Sequence, residues 1–307
     1  MDPARLRLLR ELGDRGSVAA VAAAMHVSAS AVSQQLAALQ SGVPVPLTVR
    51  RGRRLVLTEA GEALAVAGAR VEQALAEARD AVGSFLEFEQ RAVSVSAFHS
   101  AGLALFAPLL TELRGRPQVS LVDADVAQSR FAGLTADYDL VIAHRLAHDP
   151  EWPVARQVVT PLLIEPLDIA LHAAHPLAAQ SSITPEQLRN ERWISTHEGF
   201  PLAGVLAHLG ALSGSAPRVD HYINEFSVAA QVVRTGAAIA VMPRTTAAPL
   251  AVDGMVLRPV AGATLARHVD VLARPDALAH TPVRTVLAAL QRVSATAAQR
   301  SSGGAAG

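Results

Sequence analysis

Five polar side chains in one short stretch have the chemistry needed to read bases. The stretch spans eight residues and contains Ser28, Ser30, Ser33, Gln34 and Gln35. Hydroxyl and amide groups donate and accept hydrogen bonds, so they can pair with base edges when the first turns of a helix enter a DNA major groove. Gln34 is the strongest candidate for a base-reading residue. The alternative interpretation is a capped helix face that contacts only solvent.

An arginine cluster follows these residues along the chain. It consists of Arg50, Arg51, Arg53 and Arg54. Guanidinium groups bind phosphates and enter minor grooves, where they give affinity and register but little sequence information. Solubility alone is the alternative role. Residues 1–58 contain eight Arg and three acidic residues, although the whole chain has a formal net charge of zero. This asymmetry indicates that the amino-terminal end faces nucleic acid.

The spacing of apolar residues predicts three short helices between residues 3 and 40 that would position the polar side chains. Their apolar stripes are Leu6, Leu9 and Leu12, then Val18, Val21 and Met25, then Val32, Leu36 and Leu39. Ser28 precedes the third stripe and can cap that helix by accepting hydrogen bonds from its free amides. Residues 47–58 alternate apolar and polar side chains, which predicts a hairpin with the arginine cluster at its tip.

A long helix without proline is predicted over residues 59–90. Its apolar positions alternate four and three apart and form one seam: Leu64, Gly68, Val71, Leu75, Ala78, Val82 and Phe85. Such a seam is typical of a helix that pairs with another helix, so we expect Leu64, Val71, Leu75, Val82 and Phe85 to join two copies of the chain. Packing of the helix on its own domain is the alternative.

After residue 91 the pattern changes to short apolar runs separated by helical segments. The runs include residues 92–97, 119–122, 140–143, 167–171 and 237–242. This alternation is typical of β/α units around mostly parallel sheets and predicts an α/β domain with two lobes.

Composition excludes several classes of function. The chain has no Cys, which removes disulfides, thiolate nucleophiles and Cys-based zinc sites. Its histidines do not have the ligand spacing of a zinc helix, and no nucleophile, phosphate-loop or dinucleotide motif is found. We therefore expect no enzyme activity, no metal and no cofactor. No run reaches the roughly 20 apolar residues of a membrane-spanning helix. The first twenty residues do not resemble a secretory signal, so the expected compartment is the cytoplasm.

The amino-terminal residues resemble the helix-turn-helix of the LysR-type transcription regulators. The matching positions are Gly16-Ser17, Met25 to Ser28, Ser30 to Ser33, Gln35 and Leu39. The hairpin of that family is matched without a gap by Leu47, Arg50, Gly52 to Arg54, Leu57-Thr58 and Glu59 to Gly61. Later landmarks that match are Pro108 to Leu113, Asp137 to Leu140, His175 to Ala178, Trp193-Ile194 and Ile239 to Pro243.

The resemblance implies a winged helix-turn-helix, a linker helix and a regulatory domain whose two lobes are like those of a type II periplasmic binding protein. The expected boundaries are 1–58 for the DNA-binding domain, 59–90 for the linker and 91–293 for the regulatory domain. Within the last, lobe I spans about 91–162 and 264–293, and lobe II about 163–263. The Ser, Ala and Gly composition of residues 294–307 predicts a disordered tail.

Four residues depart from the family pattern. Ala29 stands where the family often has a base-reading Gln, Gln40 replaces a usual Glu, Pro44 replaces a usual Gly, and Thr48 replaces a usual Phe. Because of these departures, the resemblance predicts neither the operator sequence nor the placement of the wing.

The resemblance also implies an effector cleft between the lobes. The matching positions are His99, Ser100, His144, Thr196, His197 and Phe226. Hydroxyl groups and helix amino-terminal amides are suited to anionic groups, so an anionic small molecule is the expected effector. Ser100 as an ordinary helix cap is the alternative.

The expected partners are double-stranded DNA with an inverted-repeat operator, a small-molecule effector, further copies of the chain in a dimer or tetramer, and RNA polymerase. No membrane is expected. The alternative function is that of a solute-binding protein of the periplasmic type, which explains two lobes but not a basic helix-turn-helix.

Overall fold

The computed structural model describes residues 1–52, 54–83, 92–147, 149–200, 202–250 and 254–303 of the 307-residue chain. Three helices and a two-stranded hairpin come first, and one long helix follows. The remaining described residues form a nine-stranded sheet with helices packed against it.

The amino-terminal helices α1 (Pro3–Arg15), α2 (Val18–Ala24) and α3 (Ala29–Ser41) pack around one small apolar core. Each helix begins with a side-chain cap: the side chains of Asp2, Ser17 and Ser28 accept hydrogen bonds from backbone amides in the following turn. The three helices and the cap at Ser28 were predicted from the sequence, and the structure confirms them.

The predicted hairpin is formed by the antiparallel strands β1 (Thr48–Arg51) and β2 (Arg54–Leu57). Gly52 lies in the turn with a φ of 61°, a left-handed conformation that glycine adopts without strain. The chain then passes close to itself, because a Cβ atom on Gly61 would collide with the backbone carbonyl of Leu47. Gly61 therefore fixes how the hairpin joins the next helix.

Helix α4 (Glu59–Gly83) packs on α1 and on Pro275–Ala279 of its own chain. Small side chains line this contact, where Ala65, Ala69 and Ala76 are buried. The structure thus describes the predicted helix as far as residue 83. The expectation for residues 84–90, including Phe85, lies outside the described residues.

The strands of the carboxy-terminal domain are β3 (Val93–Ala97), β4 (Val119–Asp123), β5 (Leu140–Leu146), β6 (Val158–His172), β7 (Arg192–Ser195), β8 (Arg218–Tyr222), β9 (Ile239–Pro243), β10 (Met255–Arg258) and β11 (Ala266–Ala273). The helices are α5 (His99–Leu113), α6 (Phe131–Leu134), α7 (Ala203–Ser213), α8 (Phe226–Val233), α9 (Pro275–Ala279) and α10 (Thr281–Gly303).

The sheet is mixed, with strand order β4-β3-β5-β11-β6-β9-β7-β8 and β10 also paired with β6. Strand β3 is parallel to β4 and β5, and β7 is parallel to β8 and β9. The pairings made by β6 and β11 are antiparallel. The prediction of mostly parallel sheets is therefore wrong at the centre, because β6 and β11 run between the two halves instead of being joined by helical crossovers.

Two apolar cores divide this domain. The first lobe, as we use the term, is built by α5, β3, β5, β11 and α10 around one core. The second lobe is built by α7, α8, β7, β9 and the later part of β6 around another core. Strand β6 contributes to both lobes, because residues 158–166 pair with β11 and residues 167–170 pair with β9.

Helix α10 corrects one expectation from the sequence. It continues through residues 294–303, where the composition predicted a disordered tail. Val293 and Ala297 pack against the core of the first lobe, so apolar contacts extend the helix beyond the predicted end. Residues 304–307 lie outside the described part of the chain.

A charge network, which we call the α1 network, joins α1 to the first lobe. The Glu11 side chain is 3% exposed, and its Oε2 lies 2.7 Å from Arg15 Nε. Arg15 Nη1 also lies 2.9 Å from Asp137 Oδ1, and Arg156 Nη1 lies 3.0 Å from Asp14 Oδ1. These partly buried pairs connect the amino-terminal helices with the lobe of the same chain.

Candidate functional site

The first turns of α3 present the predicted polar side chains to solvent. Ser28, Ser30, Ser33, Gln34 and Gln35 are all exposed. Ser28 Oγ accepts a hydrogen bond from the Ala31 amide at 3.1 Å and lies 2.9 Å from Ser30 Oγ. Ser28 is thus both the cap of the helix and part of its exposed polar face.

The side chains of Ser33, Gln34 and Gln35 differ in whether they have hydrogen-bond partners within the chain. Ser33 Oγ donates to the Ala29 carbonyl at 2.9 Å, and Gln35 Oε1 accepts from Arg5 Nε at 3.0 Å. The Gln34 side chain forms no hydrogen bond with any residue that the structure describes. Gln34 therefore has its full donor and acceptor capacity available to a partner outside the chain.

The hairpin that follows α3 in the chain carries its arginines on an exposed surface. Arg50, Arg51 and Arg54 are exposed and form no ion pair with the described residues. Arg53, the fourth predicted member of the cluster, lies outside the described residues. Three free guanidinium groups at one tip form a surface suited to phosphate groups.

Gln40 determines the connection between α3 and the hairpin, a role that the sequence did not reveal. Its Nε2 donates to the carbonyls of Val43 and Val45 at 3.1 and 2.9 Å. Its Oε1 accepts from the Leu47 amide at 2.8 Å. A carboxylate cannot donate to carbonyls, so this network requires the amide that stands here in place of the Glu usual in the resembled family.

The cleft between the lobes brings together five of the six predicted effector residues. His99, Ser100, His144, Thr196 and Phe226 line one cavity. His197 does not line it; its imidazole is exposed and lies 5.9 Å from the ring of Tyr222. The other lining residues are Phe98, Asp125, Phe200, Leu202, Asn224 and Arg267. The cavity measures about 20 Å³, which is close to the space of one water molecule. Any larger ligand therefore requires the lobes to move apart.

Arg267, which lines the cavity, forms a buried ion pair with Glu165. Arg267 is 1% exposed and Glu165 is 0% exposed, and Arg267 Nε donates to Glu165 Oε2 at 2.8 Å. The two residues are also opposite each other in the register of β11 and β6. Glu165 further accepts from the amide of Thr245 at 3.0 Å. The pair thus links both lobes at the strand that they share.

The guanidinium of Arg267 has several other partners. Its Nη2 donates to Ser100 Oγ at 3.0 Å and to Thr246 Oγ1 at 2.7 Å, and its Nη1 lies 3.3 Å from His144 Nδ1. Its central carbon lies 4.8 Å from the centre of the Phe98 ring, a cation–π distance. Ser100 therefore serves as a partner of Arg267. The alternative that Ser100 caps the helix is wrong, because α5 already begins at His99, after Phe98, and no side chain of the described residues caps it.

His144 is a buried, neutral contact of this network. It is 4% exposed, and its ring lies 4.3 Å from Phe98 and 5.6 Å from Phe131. Burial, and secondarily the positive charge of Arg267, lowers the pKa of His144 well below its usual value. His144 therefore packs as an aromatic side chain that also has a hydrogen-bonding nitrogen.

His99 lies between carboxylates of different lobes. Its Nε2 lies 3.2 Å from Asp123 Oδ1 in the first lobe, and its Nδ1 lies 2.6 Å from Glu225 Oε2 in the second. Asp125 lines the cavity beside them. Burial raises the pKa of Asp125, the charge of His99 lowers it, and Glu225 and Asp123 raise it further. Within the described part of the chain, no group of three acidic or His side chains has the arrangement of a metal site.

Arg267, Glu165, Thr246 and Asp125 were missed by the sequence reasoning. A usable signal was present for the first two, since each is a charged residue inside a strand whose sequence is mostly apolar. Polar groups buried in a strand need partners, which points to a buried pair.

Helix α4 leaves one apolar seam uncovered. Val71 and Leu75 are each 39% exposed and Val82 is 59% exposed. Leu64, at the start of the predicted seam, packs instead against the core of the amino-terminal helices. The helix therefore uses one face for its own chain and presents another to the outside. None of the described helices is both long and apolar enough to cross a membrane.

Two family models cover most of the chain. The model described as "Bacterial regulatory helix-turn-helix protein, lysR family" matches residues 3–62, and "LysR substrate binding domain" matches residues 87–295. The HTH-type transcriptional regulator CbbR of Xanthobacter flavus is 28% identical over 257 residues, which cover 81% of this chain and 75% of CbbR.

Solved structures have the same fold. A full-length cysteine variant of OxyR from Pseudomonas aeruginosa has a TM-score of 0.62 at 19% identity, covering 96% of this chain and 94% of that chain. Full-length CbnR complexed with its target DNA has a TM-score of 0.51 at 19% identity, covering 96% of this chain and 100% of that chain.

Proposed function

The chain belongs to the LysR family of transcriptional regulators, and on this basis we propose that α3 reads an operator under the control of a small molecule bound between the two lobes. The observation that carries the proposal is the exposed face of α3, where Gln34 is unpaired, together with the arginine-tipped hairpin that follows α3 in the chain. The curated relative CbbR is named as a transcriptional regulator rather than as an enzyme.

The two parts of the DNA surface have different roles. Gln34 reads a base edge in the major groove, and Ser28, Ser30, Ser33 and Gln35 contact bases or phosphates around it. Arg50, Arg51 and Arg54, with Arg53 from the sequence, bind the DNA backbone or a minor groove. CbnR, which has the same fold, was solved with its target DNA, and this supports a similar use of the domain here.

The effector binds where His99, Ser100, Thr196 and Phe226 meet around the small cavity. His144 contributes from the cavity wall. A role for His197 is supported only by its backbone amide, which donates to Oδ1 of Asn224, a residue that lines the cavity. Because the cavity is nearly closed, the effector shifts the chain toward a state in which the lobes stand further apart.

A second copy of the chain covers the exposed seam of α4. Val71, Leu75 and Val82 give it an apolar strip at helical spacing, and the buried face of the same helix is already occupied. Pairing through α4 makes a dimer, or a dimer of dimers, that matches a roughly palindromic site. Such a regulator works in the cytoplasm and alters contact with RNA polymerase when the effector changes the bend of the DNA.

The alternative of a solute-binding protein explains the lobes alone. It assigns no role to the helix-turn-helix match over residues 3–62 or to the exposed arginines of the hairpin. The regulator explains both parts of the chain and is therefore preferred.

Footprinting on the intergenic DNA upstream of the coding sequence tests the proposal, using the full chain at two salt concentrations. We expect protection of a short inverted repeat. Gln34→Ala should weaken specific binding by roughly 1–3 kcal/mol and leave nonspecific binding nearly unchanged. Arg50→Ala should weaken both and reduce the salt dependence.

Gln73→Ala, on α4 and away from the DNA surface, is the matched control and should bind like the unaltered chain. Equal losses of specific and nonspecific binding in Gln34→Ala would remove Gln34 as the base reader. Protection that is the same on every DNA sequence would count against the operator-reading function itself.

A further inference from the structure

The arginine that lines the effector cleft is not available to an anionic ligand. Arg267 is 1% exposed, and its charge is matched by Glu165, which is 0% exposed. Its donors are also directed to Ser100, Thr246 and His144. A ligand carboxylate would have to displace buried partners of this guanidinium, which costs as much as the new bonds return.

The remaining charged side chains at the cleft are mostly acidic. Asp125 lines the cavity and forms no ion pair or hydrogen bond with the described residues. Asp123 and Glu225 stand at the rim on either side of His99. Even a protonated His99 is outnumbered by these three carboxylates. Burial raises the pKa of Asp125, and the charges of Glu225 and Asp123 raise it further, against the lowering effect of His99 and Arg267.

The helix amino termini do not reverse this balance. The first turn of α8 is already capped by a carboxylate, because Glu225 Oε1 accepts from the Ser227 amide at 3.0 Å. Helix α5 begins at His99 and contributes about half a positive charge at its end. That partial charge is smaller than the charge of a single carboxylate, so the cleft stays negative.

The uncharged part of the cleft is mainly apolar. Phe98, Phe200, Leu202 and Phe226 line it, and the Oγ1 atom of Thr196 is buried there with no hydrogen-bond partner among the described residues. An unpaired buried hydroxyl gains free energy when a ligand supplies a partner. The cavity thus combines an apolar wall, one open hydrogen-bonding group and one uncompensated carboxylate.

We propose that the effector is a small amine, whose ammonium group binds Asp125 and whose apolar or aromatic body packs on Phe226. This inference rests on the proposed function, namely that the cleft is the effector site. Parting of the lobes separates His99 in the first lobe from Glu225 in the second, which gives the ammonium group a second carboxylate. The anionic effector expected from the sequence does not fit this arrangement of charges.

Thermal unfolding of the full chain with matched probes tests the charge class. The first set is 2-phenylethylammonium, 2-phenylethanol and phenylacetate, which share a body and differ in charge. A panel of aliphatic and aromatic ammonium compounds with their carboxylate counterparts extends it. We expect at least one ammonium compound to raise the Tm by about 3 °C or more at saturation, with no rise for its carboxylate counterpart.

Asp125→Asn should weaken binding of that ammonium compound roughly 10- to 100-fold. Glu112→Gln, which removes a carboxylate on the outer face of α5, should bind it like the unaltered chain. Circular dichroism shows whether Asp125→Asn is folded, and Asp125→Glu, which keeps the charge, should retain part of the affinity.

Three outcomes overturn the proposal: preference for a carboxylate, no ammonium-dependent shift across the panel, or an ammonium shift that persists in Asp125→Asn. A carboxylate that binds in the cleft, judged by loss of its shift in Phe226→Ala, refutes only the charge class and leaves the effector site intact. Footprinting decides the operator-reading function independently of all these results.

Discussion

Arg267 and Glu165 are cross-strand partners on β11 and β6, and their side chains form an ion pair of 2.8 Å that is almost completely buried. The pair lies at the place where strand β6 passes from one lobe to the other. The pair therefore has a structural role at the sheet centre, and its arginine also lines the cavity between the lobes.

We predict that Arg267→Met destabilises the chain by about 3–5 kcal/mol, because the charge of Glu165 then stays buried without its partner. Glu165→Gln should also be strongly destabilising, since the guanidinium loses its counter-charge. The double variant should lose less than the sum of the two by about 1 kcal/mol or more. Urea unfolding followed by circular dichroism measures all three, and strict additivity would contradict the coupling.

His144 makes stability depend on pH in a defined direction. Its folded pKa is lower than its unfolded pKa, so the unfolded chain binds a proton first as the pH falls. The contribution is fully present above about pH 6.5 and is lost as the pH falls towards the folded pKa, by at most about 1.4 kcal/mol per pH unit.

The measurement is the free energy of unfolding between pH 7.5 and 5.5 in the unaltered chain, in His144→Gln and in the exposed control His208→Gln. We expect a shallower pH slope in His144→Gln and an unchanged slope in His208→Gln. Other groups contribute equally to the three proteins, so only the difference in slope bears on His144. Identical slopes in all three would show that His144 is not held neutral by burial.

Leu75→Glu should separate the copies of the chain that we propose to pair through α4. A carboxylate in an apolar seam must be buried unpaired in the dimer, so the dissociation constant should rise about 100-fold or more. Ala74→Glu places the same charge on a neighbouring exposed position and should leave the dimer intact. Sedimentation velocity distinguishes monomer from dimer, and a Leu75→Glu dimer of normal affinity would exclude this seam.

Gln40→Glu should loosen the connection between α3 and the hairpin. The variant keeps the acceptor for the Leu47 amide but loses both donors to the carbonyls of Val43 and Val45. We expect a loss of about 1–2 kcal/mol in the free energy of unfolding and weaker nonspecific DNA binding. Gln40→Met, which has neither donor nor acceptor, should lose at least as much. Full stability in both variants would show that this network does not hold the hairpin in place.

The parts of the fold that depend on local sequence were predictable. The cap at Ser28, the stripe of Leu6, Leu9 and Leu12, and the hairpin over residues 47–58 all follow from residues close together in the chain. Caps, periodicity and turn residues act over a few positions, so the sequence contains the whole signal.

The parts that depend on distant pairing were not predictable. Glu165 and Arg267 are separated by 102 positions, and no local pattern says that their strands are neighbours. The antiparallel centre of the sheet was missed for the same reason. The helix beyond residue 293 was missed because its low-complexity composition gives no sign of the apolar surface that Ala297 packs against.

The α1 network ties the amino-terminal helices to the first lobe of the same chain. Arg15 and Asp14 bind α1 to the first lobe, and α1 in turn supports α3 through the core of the amino-terminal helices. We therefore expect α3 and the first lobe to keep their relative orientation when the lobes move apart. In a dimer, the distance between the two copies of α3 would then depend on how the two first lobes are arranged. The spacing of half-sites that fits the dimer best would then report the arrangement of its lobes.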